Sequence, residues 1–176
     1  MRIVRPLLSL VSVVTMMLCL PSTLRAESGV ARIRGTEENS KLSGQVTFQD
    51  TPEGLKISTV VSGVSPGVHA IHIHEFGDCG DAGKAAGTHY NPEKTPHGLF
   101  TKDGLQKAHV GDMGNLDVGA DGLGKTDRVL PGVSLSLGRY NVAGRSVILH
   151  EKEDDFGQPT GNAGGRIGCG EILLTS

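Results

Sequence analysis

Tryptophan is absent from this chain of 176 residues, and only six residues are aromatic. The core must therefore be built mainly from aliphatic side chains. Helical periodicity is also absent, because no segment repeats apolar residues at a spacing of 3.6 over three turns. The sequence has no block of like charge and no Gly-X-Y period, and 37% of it is hydrophobic, which excludes collagen-like and wholly disordered chains. The length and composition predict a single globular domain.

No hydrophobic run is long enough for a membrane span, which needs about 20 residues. The longest run, residues 7–20, follows two arginines and is ended by Pro21. A cationic start, a short apolar stretch and the small residue Ala26 predict a signal peptide over residues 1–26. We prefer this interpretation to an N-terminal membrane anchor. Residues 27–176 then form an exported domain, and the expected location is the bacterial periplasm or beyond.

Cysteine is scarce, with three residues in the chain. Cys19 lies in the predicted signal peptide, and the large residues Met17 and Leu18 before it disfavour a lipoprotein anchor there. The exported domain retains Cys79 and Cys169, an even number in an oxidising compartment. We expect these two cysteines to form a disulfide, and two separate buried thiols are the alternative.

Positive charge is in deficit once the signal peptide is removed. The first 26 residues carry three arginines and no acid, so the formal net charge changes from −2 for the whole chain to −5 for the remainder. This balance disfavours nucleic acid as a partner.

Short β-type runs separated by turn residues predict an antiparallel sandwich or barrel. One stretch breaks this rhythm, because residues 78–112 are rich in glycine and proline and poor in strand pattern. A loop of that length inside a compact domain is usually functional. The predicted strands are residues 30–34, 42–48, 55–61, 68–74, 126–130, 145–150 and 171–174.

Residues 119–126 match the G-x-x-x-x-G-K-[ST] pattern of phosphate-binding loops. That loop needs a helix after it, but here a strand pattern follows and is stopped by Pro131. We therefore predict a β-hairpin with its turn at Asp121 and Gly122. The kinase-like triplet at residues 155–157 lacks every accompanying motif and is interpreted as chance.

Seven histidines lie in the predicted domain, and two of them form a His-x-His pair. Because side chains alternate along a strand, His72 and His74 point to one face while Ile71 and Ile73 point to the core. This pair alone is a weak indication of metal binding, since a solvated strand face is an alternative. His69 has the opposite parity and is predicted to lie behind the site, bonded to backbone.

A second cluster lies in or beside the irregular stretch and contains His89, His97, His109 and Asp112. Three imidazoles and one carboxylate are a donor set that zinc accepts in closed tetrahedral sites. His150 ends an apolar run and would join His72 and His74 as a third nitrogen donor from strands. A fourth nitrogen would complete the tetragonal field that copper(II) prefers.

Five runs of the sequence, taken together, resemble the signature runs of copper/zinc superoxide dismutases. Their order is the family's order, and they span essentially the whole predicted domain. The early position of Cys79 after the His-x-His pair, together with the signal peptide, resembles the bacterial exported (periplasmic) branch. The runs are residues 69–79 (HAIHIHEFGDC), 87–92 (GTHYNP), 109–112 (HVGD), 150–155 (HEKEDD) and 161–170 (GNAGGRIGCG).

This resemblance implies an all-β fold, an eight-stranded antiparallel Greek-key barrel related to immunoglobulin-like sandwiches, with two long functional loops. It implies both copper and zinc as cofactors, with His89 shared between them as a bridging imidazolate. The implied copper ligands are His72, His74, His89 and His150, and the implied zinc ligands are His89, His97, His109 and Asp112.

The resemblance also implies the reaction, dismutation of superoxide to dioxygen and hydrogen peroxide through alternate reduction and reoxidation of copper. His89 would carry a proton, and Asp154 would orient His72 and His97 by hydrogen bonds. Arg166 would guide the anionic substrate, although a surface salt bridge is the alternative for this residue. Because the domain is net negative, copper and Arg166, with Lys152 as a further candidate, must create a local positive potential.

A copper- and zinc-binding storage protein on the same barrel is the rival interpretation. Such a protein would need neither a shared histidine nor an anion-guiding arginine, so Arg166 favours the enzyme. The sequence leaves the oligomeric state open between a monomer and a homodimer.

Overall fold

Eight antiparallel strands build the part of the chain that the computed structural model describes, residues 26–175. They close into one barrel in the order β1-β2-β3-β6-β5-β4-β7-β8, which confirms the predicted fold class. Within the described residues, no helix combines the length and apolar character needed to cross a membrane. The strands are β1 (Ser28–Gly35), β2 (Ser43–Thr51), β3 (Gly54–Ser62), β4 (Gly67–His74), β5 (Asp112–Val118), β6 (Gly124–Leu130), β7 (Ser146–His150) and β8 (Arg166–Thr175).

The predicted signal peptide lies outside the described residues, apart from Ala26, and so does Cys19.

Alternation of buried and exposed side chains explains why these segments form a barrel wall. In β1, Ala31 and Ile33 are buried while Arg32 and Arg34 are exposed. The same period of two recurs in β2 and β3, so each strand gives one face to a single apolar core. The core is aliphatic, as the shortage of aromatics predicts. Its largest fully buried side chains are Phe48, Ile33, Leu55, Ile57, Ile71, Ile73, Met113, Leu116, Leu130, Leu135, Ile148 and Leu149.

β5 was not among the strands predicted from the sequence. Its residues include Gly114, Asn115 and Asp117, which are types depleted in strands. The strand forms because β4 and β6 lie on either side of it and because Met113, Leu116 and Val118 fill the core. Tertiary pairing thus overrides local propensity here.

The predicted hairpin between β5 and β6 is confirmed, and the phosphate-loop alternative is wrong. Val118 pairs with Gly124, and the N–H of Gly119 donates to the carbonyl of Leu123 at 2.9 Å. Gly122 has a φ of 76°, a left-handed conformation that glycine adopts without steric cost. A strand follows this turn, so there is no helix N-terminus to receive a phosphate.

Two loops cover the side of the barrel wall on which the histidines lie. The first, residues 75–111, contains one 3-10 turn (Lys84–Ala86) and one helical turn, α1 (Phe100–Asp103); the second is residues 151–165. The first loop is tied to β4, because Tyr90 N–H donates to the Ile73 carbonyl at 2.8 Å and Ile73 N–H donates to the Gly111 carbonyl at 2.9 Å. A Cβ at Gly111 would overlap the Ile73 carbonyl oxygen, so only glycine permits this approach.

The predicted disulfide between Cys79 and Cys169 is confirmed. It joins the first loop to β8 across a sequence separation of 90 residues. On the chain-entropy model, closing a loop of this length stabilises the fold by up to about 4.6 kcal/mol. The bond therefore attaches a long irregular segment to the rigid barrel close to the histidine cluster.

Candidate metal centre

Four histidines meet on the outer side of β4 and β7, three of them supplied by strands. His72 and His74 project from β4 on the side opposite Ile71 and Ile73, which are 0% exposed in the core. His150 ends β7, whose residues pair with β4. His89 arrives from the first loop and forms an isolated bridge with His74. One ring nitrogen from each of these four buried histidines lies within 4.8 Å of the others.

A second group of three histidines and one carboxylate adjoins the first. Asp112 begins β5, and its two oxygens face the imidazoles brought in by the first loop. Oδ1 lies 2.8 Å from His89 Nδ1 and 3.0 Å from His109 Nδ1, and Oδ2 lies 2.8 Å from His97 Nδ1. All four side chains are buried, so their donor atoms converge away from bulk water.

His89 belongs to both groups. Its Nδ1 faces Asp112, while its ring centroid lies 4.0 Å from that of His72 and 5.0 Å from that of His74. The two groups are thus adjacent and share one imidazole ring.

Asp154 lies behind both groups and connects them by hydrogen bonds. Nε2 of His72 donates to its Oδ2 at 2.8 Å, and Nε2 of His97 donates to its Oδ1 at 2.8 Å. The backbone of Asp154 is fixed in turn by Asn115, which donates to its carbonyl at 2.9 Å and accepts from its N–H at 2.7 Å. A Cβ at Gly161 would overlap Asp154 Oδ1, so glycine is required beside this carboxylate.

His69 lies behind the first group, on the core side. Its Nδ1 is 2.9 Å from the carbonyl oxygen of His150, and its Nε2 is 2.9 Å from that of Ser65. The side chain therefore contacts the backbone of one of the four clustered histidines and contributes no atom to either group.

The donor atoms fit metal ions. His72 Nδ1 and His150 Nδ1 are buried without a hydrogen-bond partner. A buried nitrogen of this kind costs about 1–3 kcal/mol unless something binds it. Tetrahedral zinc with bonds of about 2.0–2.1 Å places its ligand atoms about 3.3 Å apart. Four of the six corresponding distances in the second group are 2.8–3.4 Å, and His74 Nε2 lies 3.4 Å from His150 Nε2 in the first.

Burial keeps the first group neutral in the metal-free protein. Desolvation lowers the pKa of His89 to about 4 and that of His150 to about 3. It also lowers the pKa values of His72 and His74. Neutral imidazole is the form that binds a metal, so this environment favours binding.

In the second group, the pKa of His97 is shifted in the opposite direction, upward. Burial alone would lower the pKa of His97, but its bonds to Asp112 and Asp154 outweigh burial and raise the pKa to about 9. The pKa values of both carboxyls lie below their usual range despite burial, because the histidines around them favour the charged form. The two carboxylates therefore stay ionised and can balance bound cations.

Arg166 opens on a cleft of about 410 Å³ beside the first group. The guanidinium is half-buried and is held by two backbone carbonyls, that of Gly83 at 2.5 Å from Nη1 and that of Gly87 at 2.6 Å from Nη2. None of the ion pairs among the described residues includes Arg166, so a surface salt bridge does not explain it. The lining also includes His74, Thr88, His89, His150, Thr160, Asn162, Ala163 and Gly164.

Lys152, which is expected from the sequence to add positive potential at the site, is exposed and is not among the residues that line the cleft.

Two residues of this centre are not predicted from the sequence. Asn115 bonds to Asp154 and Gln158 bonds to His97, from 39 and 61 residues away in sequence. No local pattern could have identified either residue, since their roles depend on which strands and loops become neighbours.

The metal-free protein should lose stability in mild acid. His89 and His150 have lowered folded-state pKa values, so between pH 6.5 and 5 the unfolded chain binds protons that the fold does not. Each such group costs at most about 1.4 kcal/mol per pH unit as the pH falls. Urea unfolding across this range measures the slope, and His150→Gln should reduce it. A flat stability profile in the unmodified metal-free protein would contradict the burial argument.

Comparison with known proteins bears on this centre directly. Residues 42–172 match the sequence model of the copper/zinc superoxide dismutase family. The chain is 38% identical over 160 residues to an extracellular Cu-Zn superoxide dismutase of Caenorhabditis elegans, a match covering 85% of this chain and 69% of that protein. It is 35% identical over 159 residues to a Cu-Zn superoxide dismutase of Onchocerca volvulus, covering 84% of this chain and 96% of that one.

A solved structure agrees with the barrel. The crystal structure of the clock protein EA4 superposes with a TM-score of 0.75 at 33% identity, covering 85% of this chain and 96% of that chain. Taken with the two histidine groups and the sequence match over most of the described residues, these findings show that the chain belongs to the copper/zinc superoxide dismutase family.

Proposed function

We propose that the first group is the copper site and the second the zinc site of this dismutase. Copper would be held by His72, His74, His89 and His150, and zinc by His89, His97, His109 and Asp112. Four nitrogen donors suit copper(II), and three nitrogens with one carboxylate suit zinc. The observation that carries the assignment is the membership of His89 in both groups.

The family's reaction is the dismutation of superoxide, and this chain is an enzyme of that class with copper and zinc as cofactors. Copper, when bound, supplies the alternate reduction and oxidation: one superoxide gives up an electron and leaves as dioxygen, and a second gains one. The protein must then supply protons for hydrogen peroxide. His89 lines the cleft and would hold a proton at Nε2, passing it to the reduced substrate, while water provides the second.

Arg166 would attract and orient the substrate. Superoxide is an anion, and the domain carries a formal net charge of −5 once the signal peptide is removed. A guanidinium held in a narrow cleft raises the local potential more than distant acids lower it. The carbonyls of Gly83 and Gly87 fix its position, so little side-chain motion has to be lost when substrate arrives.

Replacing Arg166 tests this role. Arg166→Ala should lower kcat/KM by roughly tenfold or more and weaken its dependence on ionic strength, because the local attraction is lost. Copper and zinc content should not change, since Arg166 belongs to neither group. Arg32→Ala, which removes an exposed arginine on β1, is the matched control. Equal activity in Arg166→Ala and the control would remove Arg166 from the mechanism. If the unmodified protein is loaded with both metals and is still inactive, the storage alternative is favoured.

The shared imidazole has a spectroscopic consequence. Selective removal of zinc should change the copper electron paramagnetic resonance spectrum, because His89 then binds one metal instead of two. Zinc added back should restore the original spectrum. His89→Ala leaves three histidines in the first group and should make the copper spectrum insensitive to zinc. A wild-type spectrum that is identical with and without zinc would refute a shared ligand.

Export is supported by the predicted signal peptide and by relatives in Caenorhabditis elegans and Brugia pahangi that are extracellular dismutases. We keep the bacterial periplasm as the proposed location, on the basis of the signal peptide and of Cys79 following the His-x-His pair so closely.

Expression of the full chain in a Gram-negative bacterium tests export. The periplasmic fraction should contain a protein whose N-terminal sequence starts near residue 27 and whose mass matches that shortened chain. Ala26→Glu, which replaces the small residue before the cut, should slow processing. Full-length protein retained in the cytoplasm or membrane would contradict the signal-peptide prediction.

A further inference from the structure

His97 is held by one short segment of the second loop, residues 154–158. Asp154 accepts a hydrogen bond from His97 Nε2 at 2.8 Å. Gln158 bonds to both backbone groups of His97, with Oε1 accepting from the N–H at 3.0 Å and Nε2 donating to the carbonyl at 2.8 Å. Phe156 stacks on the His97 ring, with centroids 6.4 Å apart and planes 20° from parallel. We call residues 154–158 the His97 clamp.

The backbone around His97 explains why such a clamp is needed. His89 is followed by Tyr90, whose N–H and carbonyl are bonded to β4 and to Gly111. Near His109, Asp112 itself accepts the backbone N–H at 2.9 Å. His97 lies in an irregular part of the first loop, and among the described residues the hydrogen bonds of its backbone N–H and carbonyl go to the Gln158 side chain. One amide side chain thus takes the place of a strand neighbour.

Phe156 adopts a backbone conformation that requires an explanation. Its φ of 60° lies in the left-handed region, which is rare for a bulky aromatic residue. Phe156 is 41% exposed, so burial does not offset the conformational cost. The conformation brings the Phe156 N–H within 2.8 Å of Asp154 Oδ1 and places the ring against His97. Strained residues of this kind commonly occur at functional sites.

Together these contacts leave only Nδ1 of His97 facing the second group. Its Nε2, N–H and carbonyl all have partners within the clamp, whereas Nδ1 is buried and lies 2.8 Å from Asp112 Oδ2. Because Nε2 donates to Asp154, Nδ1 is the nitrogen that would give up its proton to bind a metal. The clamp therefore sets the direction of this ring.

We propose that Gln158 and Phe156 are positioning residues that retain zinc by holding His97, an inference that rests on the zinc site proposed above. The clamp runs directly into Thr160 and Asn162, which line the cleft beside Arg166. It therefore also ties this wall of the substrate cleft to a ligand of the zinc group.

Zinc release from the fully loaded protein into a coloured chelator tests the proposal. Gln158→Ala and Phe156→Ala should each release zinc about tenfold faster than the unmodified protein, the lower end of the range for residues that orient metal ligands. Copper release should not change, because neither residue contacts the first group. Gln49→Ala, which removes an exposed amide on β2, is the matched control and should behave as the unmodified protein.

The visible absorption bands of cobalt(II) placed in the zinc site report the ligand geometry, and a general loss of stability would not shift them. The visible bands of cobalt should shift in Gln158→Ala, because the direction of His97 Nδ1 changes, and should not shift in Gln49→Ala. If Gln158→Ala does not fold, Gln158→Glu is measured in its place, since it keeps the length and an acceptor for the His97 N–H but lacks the donor to the His97 carbonyl.

The outcomes separate the two proposals. An unmodified protein that takes up neither zinc nor cobalt would overturn the zinc site itself. Normal uptake by the unmodified protein, with zinc release and cobalt bands of both clamp variants equal to those of Gln49→Ala, would overturn the clamp alone. Faster zinc release with shifted bands and unchanged copper release supports it.

Discussion

The imidazole ring of His89 is the constraint around which the centre is built. The ring belongs to two groups of donor atoms, so its position has to suit both. Asp112 faces Nδ1 at 2.8 Å, and the ring centroids of His72 and His74 lie 4.0 and 5.0 Å from that of His89. Any shift of this ring would disturb both groups at once.

Burying the polar side chains that surround this ring costs free energy, which the barrel, the disulfide and the bound metals offset. Six histidines and two carboxylates are buried between the two long loops and the outer side of an aliphatic barrel. Buried polar atoms without partners destabilise a fold, whereas binding of a structural zinc ion contributes about 10–16 kcal/mol in small metal-dependent domains. The barrel supplies three histidines from paired strands, and the disulfide together with the Gly111 contact holds the loop that supplies the rest. The metals and the barrel therefore stabilise each other.

The net charge and the local charge at the cleft have opposite signs. Residues 27–176 carry a formal net charge of −5, yet the cleft presents the guanidinium of Arg166 beside the first group. Its hydrogen bonds run to carbonyl oxygens and not to carboxylates, so its full charge remains available to a substrate. The carboxylates of Asp112 and Asp154 do not line this cleft and hydrogen-bond to the clustered histidines instead.

The sequence by itself determined the parts of this protein that depend on local periodicity and chemistry. Alternation along β4 separated His72 and His74 from the core, and the strand pattern that ends at Pro131 ruled out a phosphate loop, because both features are set within a few residues. Only the tertiary structure revealed β5, whose glycine, asparagine and aspartate oppose a strand until β4 and β6 lie beside it. It alone brought Asn115 to Asp154 and Gln158 to His97, since contacts across 39 and 61 residues follow from barrel closure and loop packing and leave no local pattern.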